Sequence, residues 1–272
     1  MASRLLPAAM RPHVAALYAF ARVADDVADE GAASAADRRS QLGRWQERLH
    51  EAARAPDKGM AGDDRDGLIL AAVGHSIRSL DLPLALFDDL VSAFGQDTTT
   101  PRYASWDDVL DYCRRSANPI GRLVLRIAGY RDAALDRSSD ALCTALQLTN
   151  FWQDFGRDWR AGRLYVPHEV QQSCGAGEQD LASGRVSRSW ASAIEACVAF
   201  TRQRFQEGRP VCEGVRGLLG LELKFTWLGG TRVLERTLKR RFDLFHHRPV
   251  LGPFDAPVLA WQALRWPALA RR

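Results

Sequence analysis

The sequence has no run approaching the roughly 20 consecutive apolar residues that a bilayer-spanning helix needs. Its N-terminus lacks the continuous apolar core of a secretion signal. Both absences lead to the expectation of a soluble or peripheral protein, with contact at the inner membrane face the membrane role left open. Cysteine is sparse: Cys113, Cys143, Cys174, Cys197 and Cys212 are odd in number and widely spaced. With no C-x-x-C pair, neither a disulfide framework nor a cysteine-built metal site is expected, and a reducing cytoplasm is the natural reading. Also missing are G-x-G-x-x-G after a strand, G-x-x-x-x-G-K-[ST], H-E-x-x-H and G-x-S-x-G, which removes the usual dinucleotide, P-loop, zinc-protease and serine-hydrolase signatures. There are no alternating β-branched runs bounded by tight turns, no repeat of solenoid period and no shift in composition marking a boundary. An all-α fold in a single domain over residues 1–272 is expected.

What is present is an ordinary globular composition, 46% hydrophobic and 26% charged over 272 residues. That length buries enough surface to carry an internal cavity without covalent staples. The net charge of +4, mostly through arginine, suits anionic ligands and membrane surfaces. The arginines are spread along the chain rather than clustered with aromatics, so no nucleic-acid partner is expected. A monomer is expected. The first helix begins near Pro12 and runs towards Glu30, with Val14, Leu17, Tyr18, Ala21, Ala24 and Ala28 at helical spacing and Gly31 as its stop. Further helices are read at 37–54, 65–80, 83–94, 105–116, 119–129, 137–160, 187–207 and 214–241, and surface loops near 55–66 and 171–185.

Two segments put oxygen ligands on one helical face. Asp25 and Asp29 lie four residues apart, about 40° apart in rotation and ~6 Å along a helix axis. Like charges at this spacing repel unless a cation offsets them. Taken alone, the pair is read more simply as a solvent-facing acidic patch. The second segment changes that balance, because Asn150, Asp154 and Asp158 fall at i, i+4 and i+8 among Phe151, Trp152, Phe155 and Trp159. Acidic residues in such apolar company are paired or metal-bound. Two such helices facing one another would make an opposed carboxylate site. Hard oxygen ligands suit Mg²⁺, which takes one or two carboxylates and completes its shell with water and phosphate oxygens. A diphosphate is the matching ligand, and Arg22, Arg157 and Arg163 are the candidate cations beside it.

The first motif follows Y-A-F-A-R and the second sits inside Q-L-T-N-F-W-Q-D-F-G-R-D-W-R-A-G-R-L-Y-V-P. Over nearly the whole chain these resemble the squalene and phytoene synthase family. The resemblance implies a helical isoprenoid-synthase fold with a central hydrophobic cavity, Mg²⁺ at its mouth and a prenyl diphosphate substrate. Carried over by position, Asp25, Asp29, Asn150, Asp154 and Asp158 hold the metal, Arg22 binds diphosphate, and Tyr112 joins the aspartates as a catalytic residue. It also implies a short segment upstream of S-R-L-L-P that supplies part of the diphosphate site.

Departures from the family pattern narrow the expectation. Where condensing members read Y-C-Y-x-V-A-G-x-V-G, this chain has Tyr112, Cys113, Arg114, Arg115, Ser116, Ala117, Asn118, Pro119, Ile120 and Gly121. Gln153 precedes Asp154 where an arginine is usual, and Gly230 stands near the usual position of a tyrosine. The pattern is similar to the hydroxysqualene synthase branch of bacterial hopanoid biosynthesis, which implies presqualene diphosphate as substrate and water capture without reduction. Gly230, Asn118 and Arg114 are expected to open space for one ordered water. Two alternatives stay open: a head-to-head condensing enzyme of the same fold, and a catalytically silent helical scaffold. The basic and aromatic tail from Lys239 to Arg272 allows either membrane contact or a C-terminal helix packed on the core.

Overall fold

The computed structural model describes residues 6–29, 31–54 and 64–266. Most of the loop expected at 55–66 lies outside the described residues, as do Ser3, Arg4 and Leu5 of the S-R-L-L-P match and the last six residues of the tail. The described residues contain a short 3₁₀ turn at Ala8–Met10, thirteen α-helices and no strand, only an isolated bridge between Arg102 and Leu164. The helices are α1 Arg11–Asp29, α2 Ala35–Arg54, α3 Arg65–Leu80, α4 Leu84–Asp97, α5 Trp106–Ser116, α6 Asn118–Ile127, α7 Ala133–Gln153, α8 Phe155–Arg160, α9 His168–Cys174, α10 Glu178–Leu181, α11 Arg188–Gly214, α12 Gly217–Lys239 and α13 Asp255–Leu264. The chain groups into two compact units, one of residues 1–100 with 114–136 and one of residues 101–113 with 137–272.

In the first unit, α1 buries Leu17, Phe20, Ala24 and Ala28, a stripe at helical spacing. Tyr18, read as part of that stripe, is exposed instead. Phe20 stacks on Trp45 of α2 and meets Phe87 of α4 edge-on, both at 5.5 Å. Asp64 caps α3 by accepting from the Gly67 N–H, and Asp81 ends it at a positive φ of 51°. Helices α2 and α3 approach so closely that a Cβ on Gly74 would lie 2.5 Å from the Ala52 carbonyl oxygen.

In the second unit, Trp152 of α7 donates to Thr201 of α11, and Trp190 of α11 donates to the Gly177 carbonyl, both at 2.8 Å. Burying an indole with its N–H satisfied keeps the packing gain without a polar penalty. The helix expected over 137–160 is broken: Asp154 leaves helical geometry at φ −94°, ψ 8°, and α8 begins at Phe155. The loop expected near 171–185 contains the end of α9 and all of α10. Such short helices depend on tertiary burial rather than periodicity, here of Val170, Gln171 and Leu181. Helix α11 runs past the expected end at 207 and through Pro210, although proline supplies no N–H for the Gln206 carbonyl. The tail does form a C-terminal helix, α13, followed by a buried Trp266.

Candidate functional site

Helix α1 carries the first motif on its partly exposed side. Arg22 reaches both Asp25, at 3.1 Å, and Asp26, at 2.6 Å. One guanidinium thus offsets the charge of two carboxylates, one of them, Asp25, a member of the i, i+4 pair. Asp29 is exposed one turn further on. Asp26, between the motif positions, is a partner of Arg22 that the spacing argument passed over.

The second motif survives the break in its helix. The Asp154 N–H donates to the Asn150 carbonyl and the Asp158 N–H to the Asp154 carbonyl, each at 2.9 Å, so the i, i+4, i+8 stripe is preserved. Asp154 is buried, and Asn150 Nδ2 donates to its Oδ2 at 3.0 Å. Asp158 is largely covered, with Arg163 at 3.8 Å. Arg157, expected beside these groups, is exposed and has no ion pair among the described residues.

The main partner of Asp154 is Arg248, which the sequence reading missed. Its Nε and Nη2 donate to the two carboxylate oxygens, the second at 3.0 Å, a bidentate arrangement. Hydrogen bonding to Asp154 comes first in holding this guanidinium above its usual range; partial burial opposes it, and the Asp154 and Asp158 charges reinforce it. Residues 244–249 reach Arg248 by lying across α8. A Cβ on Gly156 would fall 2.6 Å from the Leu244 carbonyl oxygen, Arg160 donates to the Phe245 carbonyl, and Gln153 donates to the Pro249 carbonyl. The glycine of F-G-R-D is required for that close approach, and it was the available hint.

Tyr112 is buried in an aromatic cluster. It lies 5.9 Å from Tyr103 and from Phe151 and 6.2 Å from Tyr165, while Phe151 and Tyr165 stack at 3.6 Å. Phe151 and Tyr165 also share a small recess with Asp158 and Arg163. Beside Asn150 and Gln153 opens a cavity of about 440 Å³ walled mainly by Leu146, Phe225, Thr226, Val233 and Leu251. Gly230 lines it, but the expected open space is not there. A Cβ at this glycine would sit 2.6 Å from Leu146 and 2.8 Å from the buried Phe205 ring, so these side chains occupy the direction a tyrosine would take. Arg114 pairs at 3.7 Å with Asp89, and Asn118 is buried at the start of α6.

The donor set of each motif is hard oxygen, and each supplies two aspartates. Among the described residues no group of three His, Cys, Asp or Glu side chains gathers for a metal. Hard oxygen donors of this kind suit Mg²⁺, which takes one or two carboxylates when phosphate completes its shell.

The sequence matches the squalene/phytoene synthase family model over residues 1–255. The chain therefore belongs to the squalene/phytoene synthase family. It is 36% identical over 206 residues to a hydroxysqualene synthase of Zymomonas mobilis, covering 74% of this chain and 65% of that one. To a hydroxysqualene synthase of Rhodopseudomonas palustris it is 29% identical, covering 97% and 86%. Among solved structures, squalene synthase HpnC from Alicyclobacillus acidocaldarius is similar at a TM-score of 0.77 and 35% identity, covering 87% of this chain and 86% of that one. A dehydrosqualene synthase at 20% identity shares the fold, with a TM-score of 0.82. The protein is all-helical and has the fold of these isoprenoid synthases.

Proposed function

We propose that this protein ionises presqualene diphosphate and captures water on the resulting cation, releasing hydroxysqualene and diphosphate. The observation that carries the reading is the Asn150, Asp154, Asp158 stripe, whose first member, Asn150, lines an apolar cavity of about 440 Å³. The names of the Zymomonas and Rhodopseudomonas relatives support it. In the reaction the C–O bond to diphosphate breaks with its electron pair, the cyclopropylcarbinyl cation opens, a water oxygen bonds to carbon, and one proton leaves.

Asp25, Asp29, Asn150, Asp154 and Asp158 would hold Mg²⁺, which when bound stabilises the charge growing on the leaving diphosphate. Arg22, Arg157 and Arg163 would bind the diphosphate, and Tyr112 contributes to the catalytic machinery from the aromatic cluster beside Asp158. Leu146, Phe225, Val233 and Leu251 keep bulk water from the hydrocarbon, so the cation persists until a positioned nucleophile reaches it. Gln153 and Asn150 at the cavity wall give one water a polar foothold that an all-apolar wall lacks. The chain acts as a monomeric cytoplasmic domain with peripheral contact at the inner membrane face.

Given presqualene diphosphate and Mg²⁺, the protein is expected to form hydroxysqualene whose oxygen comes from ¹⁸O-labelled water, with no diversion to squalene by NADPH. Full turnover in excess EDTA would overturn the metal assignment. A 15-cis-phytoene synthase of Pantoea ananas, 32% identical over 83% of this chain, keeps head-to-head condensation as the second reading. Efficient C30 product from farnesyl diphosphate alone would favour it.

A further inference from the structure

A basic cleft of the second unit lies among α11, α12 and α13 and shares no lining residue with the Asn150, Asp154, Asp158 stripe. It encloses about 760 Å³, well beyond the needs of a single water and within the range of small-ligand sites. Its wall presents Arg209, Arg232, Arg236 and Lys239, with Gln206 and Gln262 adding neutral donors. Among the described residues the one carboxylate on that wall, Glu235, is already bound by Arg202 at 2.6 Å.

Two features show that these cations are held rather than merely solvated. Arg209 lies over the Trp266 ring at 4.4 Å and the Trp227 ring at 5.5 Å, and its Nη2 donates to the Trp266 carbonyl at 3.1 Å. Its Nε donates to Glu213 at 3.1 Å, which offsets its own charge and leaves the surplus on Arg232, Arg236 and Lys239. Behind the wall, the buried Asp255 carboxylate accepts from Arg232 Nε at 2.5 Å and from Arg236 Nη1 and Nη2 at 2.7 and 2.6 Å, and the Gly252 N–H donates to it as well. Hydrogen bonds from Arg236 first, then from Gly252 and Arg232, hold this carboxyl well below the usual carboxylate range. One negative charge shared by two guanidinium groups fixes both and neutralises the charge of only one. Gathering like charges at a partly enclosed surface raises the free energy unless an anion offsets it.

We propose that this cleft is an anion site for a phosphate- or diphosphate-bearing ligand, distinct from the Asn150, Asp154, Asp158 stripe of the same unit and reached either by a free anion or by the headgroup of an anionic lipid. Arg209, Arg232 and Arg236 supply the fixed donors, and Lys239 at the rim supplies the mobile one.

The test titrates inorganic diphosphate into the full chain in EDTA, where metal-dependent diphosphate binding is silent, and in parallel sediments the chain with vesicles of phosphatidylglycerol or of phosphatidylcholine. The variants are Gln206→Glu with Lys239→Glu, Lys239→Gln alone and Asp154→Asn, the two rim variants checked for unchanged thermal melting and Asp154→Asn for an unchanged circular dichroism spectrum at the titration temperature. Both rim positions are exposed and leave the Asp255 cluster intact. Diphosphate binding that is unchanged in Asp154→Asn and at least tenfold weaker in the double variant supports the site with a free anion. Binding only to phosphatidylglycerol vesicles, weakened in the same variants, supports it with a lipid headgroup. Lys239→Gln should weaken the same probe by a smaller factor, and it replaces the double variant if that one melts early. No binding of either probe, equal binding by the rim variants, or loss of binding in Asp154→Asn overturns the proposal.

Discussion

At the scale of single residues, the second motif is a buried carboxylate whose charge is balanced by a guanidinium 94 residues away in the chain. Removing either member leaves the other uncompensated. Asp154 is nearly covered while Arg248 is 45% exposed, so solvent screens much of the pair. Asp154→Asn and Arg248→Gln should each cost about 1 kcal/mol of unfolding free energy. The double variant should lose less than the sum, and chemical denaturation of all four proteins measures the coupling. Activity responds differently from stability. Asp25→Ala, Asp29→Ala, Asp154→Ala and Asp158→Ala should each lower diphosphate release by about 100-fold or more while far-ultraviolet circular dichroism stays unchanged.

At the scale of elements, two contacts make specific predictions. Gly156→Ala puts a Cβ against the backbone of Leu244 and Phe245, which cannot turn aside as a flexible side-chain end would. The variant should lose about 1–3 kcal/mol, and limited proteolysis should cut near residues 244–249 before other parts of the second unit. In the first unit, His13 on α1 lies 2.8 Å from the Ser76 hydroxyl and stacks on His75 of α3 at 6.3 Å. Burial first, then the neighbouring His75, pushes the His13 imidazole down from its ordinary 6.5. A base with a depressed folded pKa binds its proton more readily when unfolded, so stability is full above about pH 6.5 and declines as pH falls towards the folded value. The carboxylates with lowered values, Glu178 and Asp255, titrate at lower pH. Thermal melting between pH 7 and 5 should therefore show a slope that His13→Gln reduces; an unchanged slope would rule out this assignment.

At the scale of the whole molecule, no helix among the described residues is long and apolar enough to cross a membrane. The second unit nevertheless exposes Phe254, Leu264 and Trp261 at 90%, 83% and 54%, with Arg265 over the Trp261 ring at 4.4 Å. An exposed apolar surface with a cation beside it is the kind that docks on anionic headgroups. Phe254→Ser with Leu264→Ser should reduce co-sedimentation with phosphatidylglycerol vesicles without changing the melting temperature. Equal sedimentation of variant and parent would remove the peripheral contact from the proposed function.

The helical class and both carboxylate spacings were legible in the sequence because a helix sets them locally: residues four apart share a face wherever the helix sits. The aromatic setting of Asp154 was legible for the same reason, and the motifs carried the family. Only the tertiary structure decided that the helix breaks at Asp154, that Arg248 closes on it, and that Phe205 and Leu146 fill the direction in front of Gly230. The cluster of Arg232, Arg236 and Asp255 belongs with these, since nothing in R-V-L-E-R indicates a shared carboxylate 19 residues later. Each depends on a partner brought in by chain closure. Periodicity records which face a residue takes, but not which distant side chain arrives there.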